Sequence, residues 1–86
     1  MIGVDLSFER VFGVAPSHRL VTVRSRTRAG IFGGTFWEHE EYDALGRLVG
    51  RYESFEEMDS RTGTRCSGWR RYDIFGRLVA EGELPL

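Results

Sequence analysis

The stretch Tyr42-Asp43-Ala44-Leu45-Gly46-Arg47-Leu48-Val49 returns thirty residues later as Tyr72-Asp73-Ile74-Phe75-Gly76-Arg77-Leu78-Val79, with six of eight positions identical. Its chemistry specifies a hairpin. Aspartate at the first position of a type I turn caps the turn with its side chain, and the glycine three residues on supplies the positive φ that closes it. The product is a three-residue loop with a glycine bulge. Alternation outward from the turn sets Asp43 opposite Arg47, Tyr42 opposite Leu48 and Glu41 opposite Val49. In the second copy Asp73 faces Arg77, Tyr72 faces Leu78 and Arg71 faces Val79. Each Tyr–Leu cross-strand pair contributes roughly 0.2–1 kcal/mol. A tryptophan precedes each copy (Trp37 and Trp69), and Gly33 and Gly63 share the thirty-residue offset, as expected of a repeated supersecondary unit.

The flanking sequence extends the pattern. Arg19 to Arg28 is rich in β-branched residues and reads as a strand ending near Ala29-Gly30. Gly33-Gly34 then admits a strand from Thr35 to Tyr42, followed by one from Arg47 to Phe55. A polar loop from Glu56 to Gly63 separates these from strands Thr64–Tyr72 and Arg77–Glu83. The fold class is mostly β: a single antiparallel meander of about five strands over residues 19–86, within one domain spanning 1–86. Residues 1–18 admit two readings. Asp5 can cap a short helix running to Gly13 with Phe8, Val11 and Phe12 on one side, yet Ile2, Val4 and Leu6 alternate as in a strand. Pro16 ends either element.

The Tyr-Asp-x-x-Gly-Arg-Leu motif resembles the YD repeats of the RHS family, in which many such hairpins build a long β-sheet shell. The resemblance covers about 16 of the 86 residues, in two copies. It implies the hairpin geometry. The chain departs from that family in having two copies instead of dozens and in lacking toxin or autoproteolytic segments, so the resemblance implies no function.

Composition narrows the class further. With 86 residues, one small domain buries only about 60–65% of the surface of its unfolded chain, leaving a thin core. A formal net charge of −1 argues against a general binder of nucleic acid or anionic membranes. All 12 basic residues are arginine, which excludes Schiff-base and P-loop lysines, and the single cysteine, Cys66, excludes an intrachain disulfide. The N-terminus has no basic segment followed by an apolar run, and no stretch reaches the roughly 18 apolar residues of a membrane helix, so a cytoplasmic location is expected.

Candidate sites fall into four groups. In a strand, His39, Glu41 and Asp43 share a face and could hold a metal, but surface ion pairs are the commoner role of such residues. At the repeat offset, Glu40 and Glu41 correspond to Arg70 and Arg71, an exchange of charge that would let neighbouring copies pair. Arg24, Arg26 and Arg28 alternate along one strand face, a geometry that tracks a phosphate backbone when aromatics are near; the 13 acidic residues oppose it. For catalysis, Ser17-His18 and a Cys66–His39 pairing are available, but no nucleophile-elbow pattern is present, and a lone mid-strand cysteine reads as a small core residue.

The aromatic residues, 13% of the chain, exceed the need of one small core, and Phe12, Phe32, Phe36, Trp37, Phe55, Trp69 and Phe75 are candidates for exposure. Leu45 and Phe75 occupy equivalent positions at the hairpin tips, where polar residues are usual. The expected function is therefore a non-enzymatic protein-interaction module, an accessory subunit, regulator or inhibitor of a larger protein, or a homo-oligomer. Its anchors would be Phe36, Trp37, Leu45, Tyr52, Trp69 and Phe75, with Arg51, Arg70 and Arg71 supplying charged hydrogen bonds. No cofactor, metal or catalytic residue is assigned. The alternatives are single-stranded nucleic-acid binding through Arg24, Arg26 and Arg28, and small-ligand binding on a concave face lined by Tyr42, Tyr72 and Trp69.

Overall fold

The structure, a computed structural model, describes residues 7–84. A short helix precedes five strands: α1 (Phe8–Phe12), β1 (Arg19–Arg28), β2 (Phe32–Tyr42), β3 (Leu48–Asp59), β4 (Thr64–Tyr72) and β5 (Leu78–Gly82). Strand order equals chain order and every neighbouring pair is antiparallel, giving the single open meander expected from the hairpin pattern.

The two copies close in the same way. Asp43 N donates to Arg47 O at 2.9 Å and Gly46 N to Asp43 O at 3.0 Å; the same bonds at Asp73, Gly76 and Arg77 have the same lengths. Each aspartate Oδ1 accepts two backbone N–H groups at 2.9 Å, from Leu45 and Arg47 or from Phe75 and Arg77. Gly46 and Gly76 take φ of 80° and 82°, the left-handed region where a Cβ is strained. The backbone N–H of Arg47 or Arg77, aided by the arginine side chain, holds each carboxyl below the usual aspartate range. The β3–β4 turn uses the same chemistry one residue longer: Gly63 N donates to Asp59 O at 2.8 Å.

Three expectations need correcting. Glu41 pairs with Gly50 and Arg71 with Ala80, because Val49 and Val79 are bulge residues just beyond each turn and shift the register by one. Glu56 to Asp59 are not loop but the end of β3, and β2 begins at Phe32. Gly34 makes this extension feasible, since a Cβ there would come within 2.4 Å of the Glu56 carbonyl oxygen. The shared offset of Gly33 and Gly63 has no structural counterpart: Gly63 closes a turn at φ 70°, whereas Gly33 lies in β2 opposite Met58.

Pairing sorts the side chains onto two faces. Thr22, Trp37, His39, Glu41, Tyr52, Ser54, Trp69 and Arg71 share one. Arg24, Arg26, Phe36, Glu38, Glu40, Arg51, Glu53 and Arg70 share the other. Helix α1 covers the first. Five residues are too few for a stable isolated helix, so packing must hold it. Phe12 stacks on Tyr52 at 4.2 Å between centroids, and Phe8 lies 4.5 Å from His39 and 5.4 Å from Trp37. Gly13, at φ 69°, ends the helix by donating to Arg10 O. The helix expected through Gly13 is therefore present, while Asp5, its expected cap, lies outside the described residues.

Candidate functional site

The covered face holds the core, and that core is unusually polar. His39 is 1% exposed, Tyr52 and Ser54 2%, and Glu41 4%. His39 Nδ1 lies 2.9 Å from Thr22 Oγ1, and Nε2 lies 2.8 Å from Ser54 Oγ. Hydroxyls both donate and accept, so a neutral imidazole is satisfied in either tautomer. Burial favours that neutral form and pushes the His39 pKa down to about 4, against the opposing charge of Glu9. Thr22, His39 and Ser54 have the order of an orienting group, a base and a nucleophile. The buried Ser54 hydroxyl, however, presents no reacting atom to solvent, and Phe8 and Phe12 roof the imidazole.

Beside it, Glu41 gathers three partners. Tyr52 Oη donates to Oε1 at 2.6 Å, His18 Nδ1 lies 2.5 Å from Oε2, and Arg71 Nη2 stands 3.8 Å from Oε1. Burial alone would raise this carboxyl's pKa, but the bonds from Tyr52 and His18 and the charge of Arg71 outweigh it and lower it. Burial, with the bond to Glu41, raises the Tyr52 phenol. Arg71 reaches Glu41 by crossing β3 at Gly50, where an added Cβ would sit 3.3 Å from Arg71 Nε and from Tyr72 O. Its guanidinium also lies over the Tyr52 ring at 5.7 Å.

The charge exchange between copies is thus half realised. Glu41 and Arg71 meet, whereas Glu40 accepts from Tyr42 Oη at 2.9 Å and Arg70 pairs with Glu81 at 3.7 Å. Of the expected anchors, Tyr52 is buried, and Trp37, Trp69 and Arg71 are half-buried on the covered face. They belong to the core because α1 completes their burial within the chain: Phe12 lies 5.3 Å from the Trp69 ring. The short helix places Phe8 and Phe12 there, a role that spacing in residues 1–18 alone did not reveal. Cys66 is exposed, contrary to its core reading, because it lies on the other face opposite Glu57.

The other face, uncovered among the described residues, carries Phe36, Arg51 and Arg70, of which the two arginines are exposed and Phe36 half-buried. Opposite Phe36 stands Phe55, and around the pair run charged rows such as Arg24–Glu38–Glu53–Arg70–Glu81. A cleft of about 370 Å³ lies here, lined by Val23, Glu38, Glu40, Arg51, Glu53 and Tyr72. The ligand set Tyr42, Tyr72 and Trp69 does not converge, because Trp69 points to the opposite face. Arg24, Arg26 and Arg28 do share the uncovered face, but Arg24 pairs with Glu38 at 3.7 Å and Arg28 Nε donates to Phe32 O at 3.0 Å. Among the described residues no group of three or more His, Cys, Asp or Glu is placed to hold a metal ion, and no helix is long and apolar enough to cross a membrane.

The hairpin tips keep their apolar residues in solvent. Leu45 and Phe75 are both 76% exposed, and Ile74, Leu78 and Val79 are each more than half exposed. Both tips lie at the same end of the sheet, since the β2–β3 and β4–β5 turns alternate with the other two. No protein-family model matches the chain, and neither a curated protein nor a solved structure matches it.

Proposed function

We infer that the protein is a non-enzymatic interaction module of the cytoplasm, which docks a larger protein as an accessory subunit, regulator or inhibitor. The observation that supports this reading is the pair of equivalent hairpin tips, each holding a large apolar side chain in water at one end of the sheet. Contiguous exposed apolar surface at a defined place marks interaction sites in small proteins. The contact set is revised to Leu45 and Phe75 as anchors, Phe36 on the adjoining face, and Arg51 and Arg70 as charged partners. Trp37, Tyr52, Trp69 and Arg71 build the platform beneath.

The test is affinity capture from the native host with mass spectrometry, comparing wild type with the double variant Leu45→Asp/Phe75→Asp. A partner should be retained by wild type and lost by the variant, with circular dichroism unchanged because both side chains are exposed. Trp69→Ala should instead unfold the chain. Retention of the same partner by the double variant, or no partner above a bait-free control, would overturn the reading.

A further inference from the structure

On the face away from α1, one row of side chains crosses all five strands as Arg24, Glu38, Glu53, Arg70 and Glu81. Within the chain this row is poorly matched. Glu38 stands directly opposite Glu53, like charge against like, and Glu40 lines the same cleft of about 370 Å³. The favourable neighbours, Arg24 with Glu38 and Arg70 with Glu81, are both 3.7 Å apart and about half exposed or more, so each contact is weak. In the next row Phe36 faces Phe55, and the Phe55 ring leans over Gly68, where an added Cβ would come within 3.1 Å of it. The row on the other side runs from Val21 through Glu40, Arg51 and Tyr72 to Leu78, with an apolar residue at each edge.

We propose that this face packs on the same face of a second copy, across a two-fold axis that runs parallel to β3 between the sheets. Strand β3 then lies over β3 of the second copy, β2 over β4 and β1 over β5. In the charged row Arg24 meets Glu81 and Glu38 meets Arg70, and symmetry repeats both contacts, so opposite charges meet at every position but the centre. Arg70 of each copy enters the other's cleft among Glu38, Glu40 and Glu53. At the centre Glu53 faces Glu53 and Arg51 faces Arg51. These two residues lie about 7 Å apart along β3, within reach of an arginine, so each Arg51 pairs with Glu53 of the other copy. Phe36 comes to lie on Phe55, and Val21 on Leu78. A two-fold axis running across the strands at the charged row would instead set every charge upon itself, so the charges select the first arrangement. Packed sheets cross at about 30°, which slides the outermost contacts by about 5 Å, a gap that arginine and glutamate side chains span. Five strands and three rows cover roughly 500 Å² on each copy, the small end of specific interfaces, so the dimer is weak and depends on its charges. The tips at Leu45 and Phe75 take no part in it, so this pairing and the docking reading can fail separately.

The experiment is light scattering on the purified chain across a concentration series, at low and at high salt and without any other protein. Wild type should show a monomer–dimer equilibrium that shifts toward monomer as salt rises. Arg70→Glu alone and Glu38→Arg alone each bring like charges together twice in the dimer, and each should weaken it by roughly tenfold or more. Mixed in equal amounts, the two variants should dimerise with one another, because each substituted position then faces the opposite charge. Damage to folding would persist in the mixture, so the rescue reports the contact itself. The tip variant Leu45→Asp/Phe75→Asp should dimerise like wild type. A monomer at every concentration, growth beyond the dimer, single variants that dimerise like wild type, or a mixture that stays monomeric would each overturn the proposal.

Discussion

Lowering the pH should weaken this fold before its carboxylates begin to titrate, and His39 is the reason. The imidazole is buried, hydrogen-bonded at both nitrogens and roofed by two phenylalanines, so its pKa falls from 6.5 to about 4 on folding. The unfolded chain therefore binds a proton that the folded chain refuses. Stability is fully present above pH 6.5 and is lost as pH falls through the window down to about 4. At about 1.36 kcal/mol per pKa unit, the whole window is worth about 3.4 kcal/mol, of which about 2 kcal/mol is gone at pH 5. Glu41, whose pKa is lowered below 4.5, keeps its contribution at pH 5 and loses it only lower down. Urea unfolding at pH 7.5 and pH 5 measures the difference directly, and the melting temperature should fall by about 8–16 °C. His39→Gln, which cannot titrate, should flatten the dependence over this range. A His39 ring proton titrating near 6.5 by NMR in the folded protein, or equal stability at the two pH values, would refute the reasoning.

Two further predictions test the local geometry. Gly50→Val should cost about 1–3 kcal/mol in urea unfolding, since the added carbons meet Arg71 Nε and the fixed Tyr72 carbonyl at 3.3 Å and push the guanidinium from Glu41; a neutral effect would show that the crossing is loose. Asp43→Ala and Asp73→Ala remove the same bonds from the two turns, but amide exchange should rise more widely in the second, because among the described residues β5 has a neighbour on one side only. Equal spread in both would argue against an edge position for β5.

The meander was legible because its turns are written in short-range chemistry: the Asp-x-x-Gly-Arg spacing states where each chain reversal falls, whatever the rest of the molecule does. The bulges were not. Val49 and Val79 are ordinary strand residues, and only the twist of the assembled sheet makes the extra residue visible. The end of β3 was misread because Glu56, Glu57 and Asp59 are poor strand formers, and the compensating feature, the close approach at Gly34, lies 22 residues away from Glu56. Residues Trp37, Tyr52 and Trp69 looked surplus for the same reason. Their cover comes from Phe8 and Phe12 on a helix too short to announce its own docking. The two exposed phenylalanines, Phe32 and Phe75, stand at a strand end and at a turn.

The contact between Glu41 and Arg71 has a consequence for how such a chain could grow. The two residues occupy the same place in successive copies of one unit, and they touch because the glycine between them leaves a passage over β3. An array of identical copies of either unit would send two carboxylates, or two guanidiniums, into that buried passage. Two exact copies of one unit would therefore make poor neighbours, and a third unit would pair best with the charge alternated again. The pair acts as a polarity mark that orders the units and makes them no longer interchangeable.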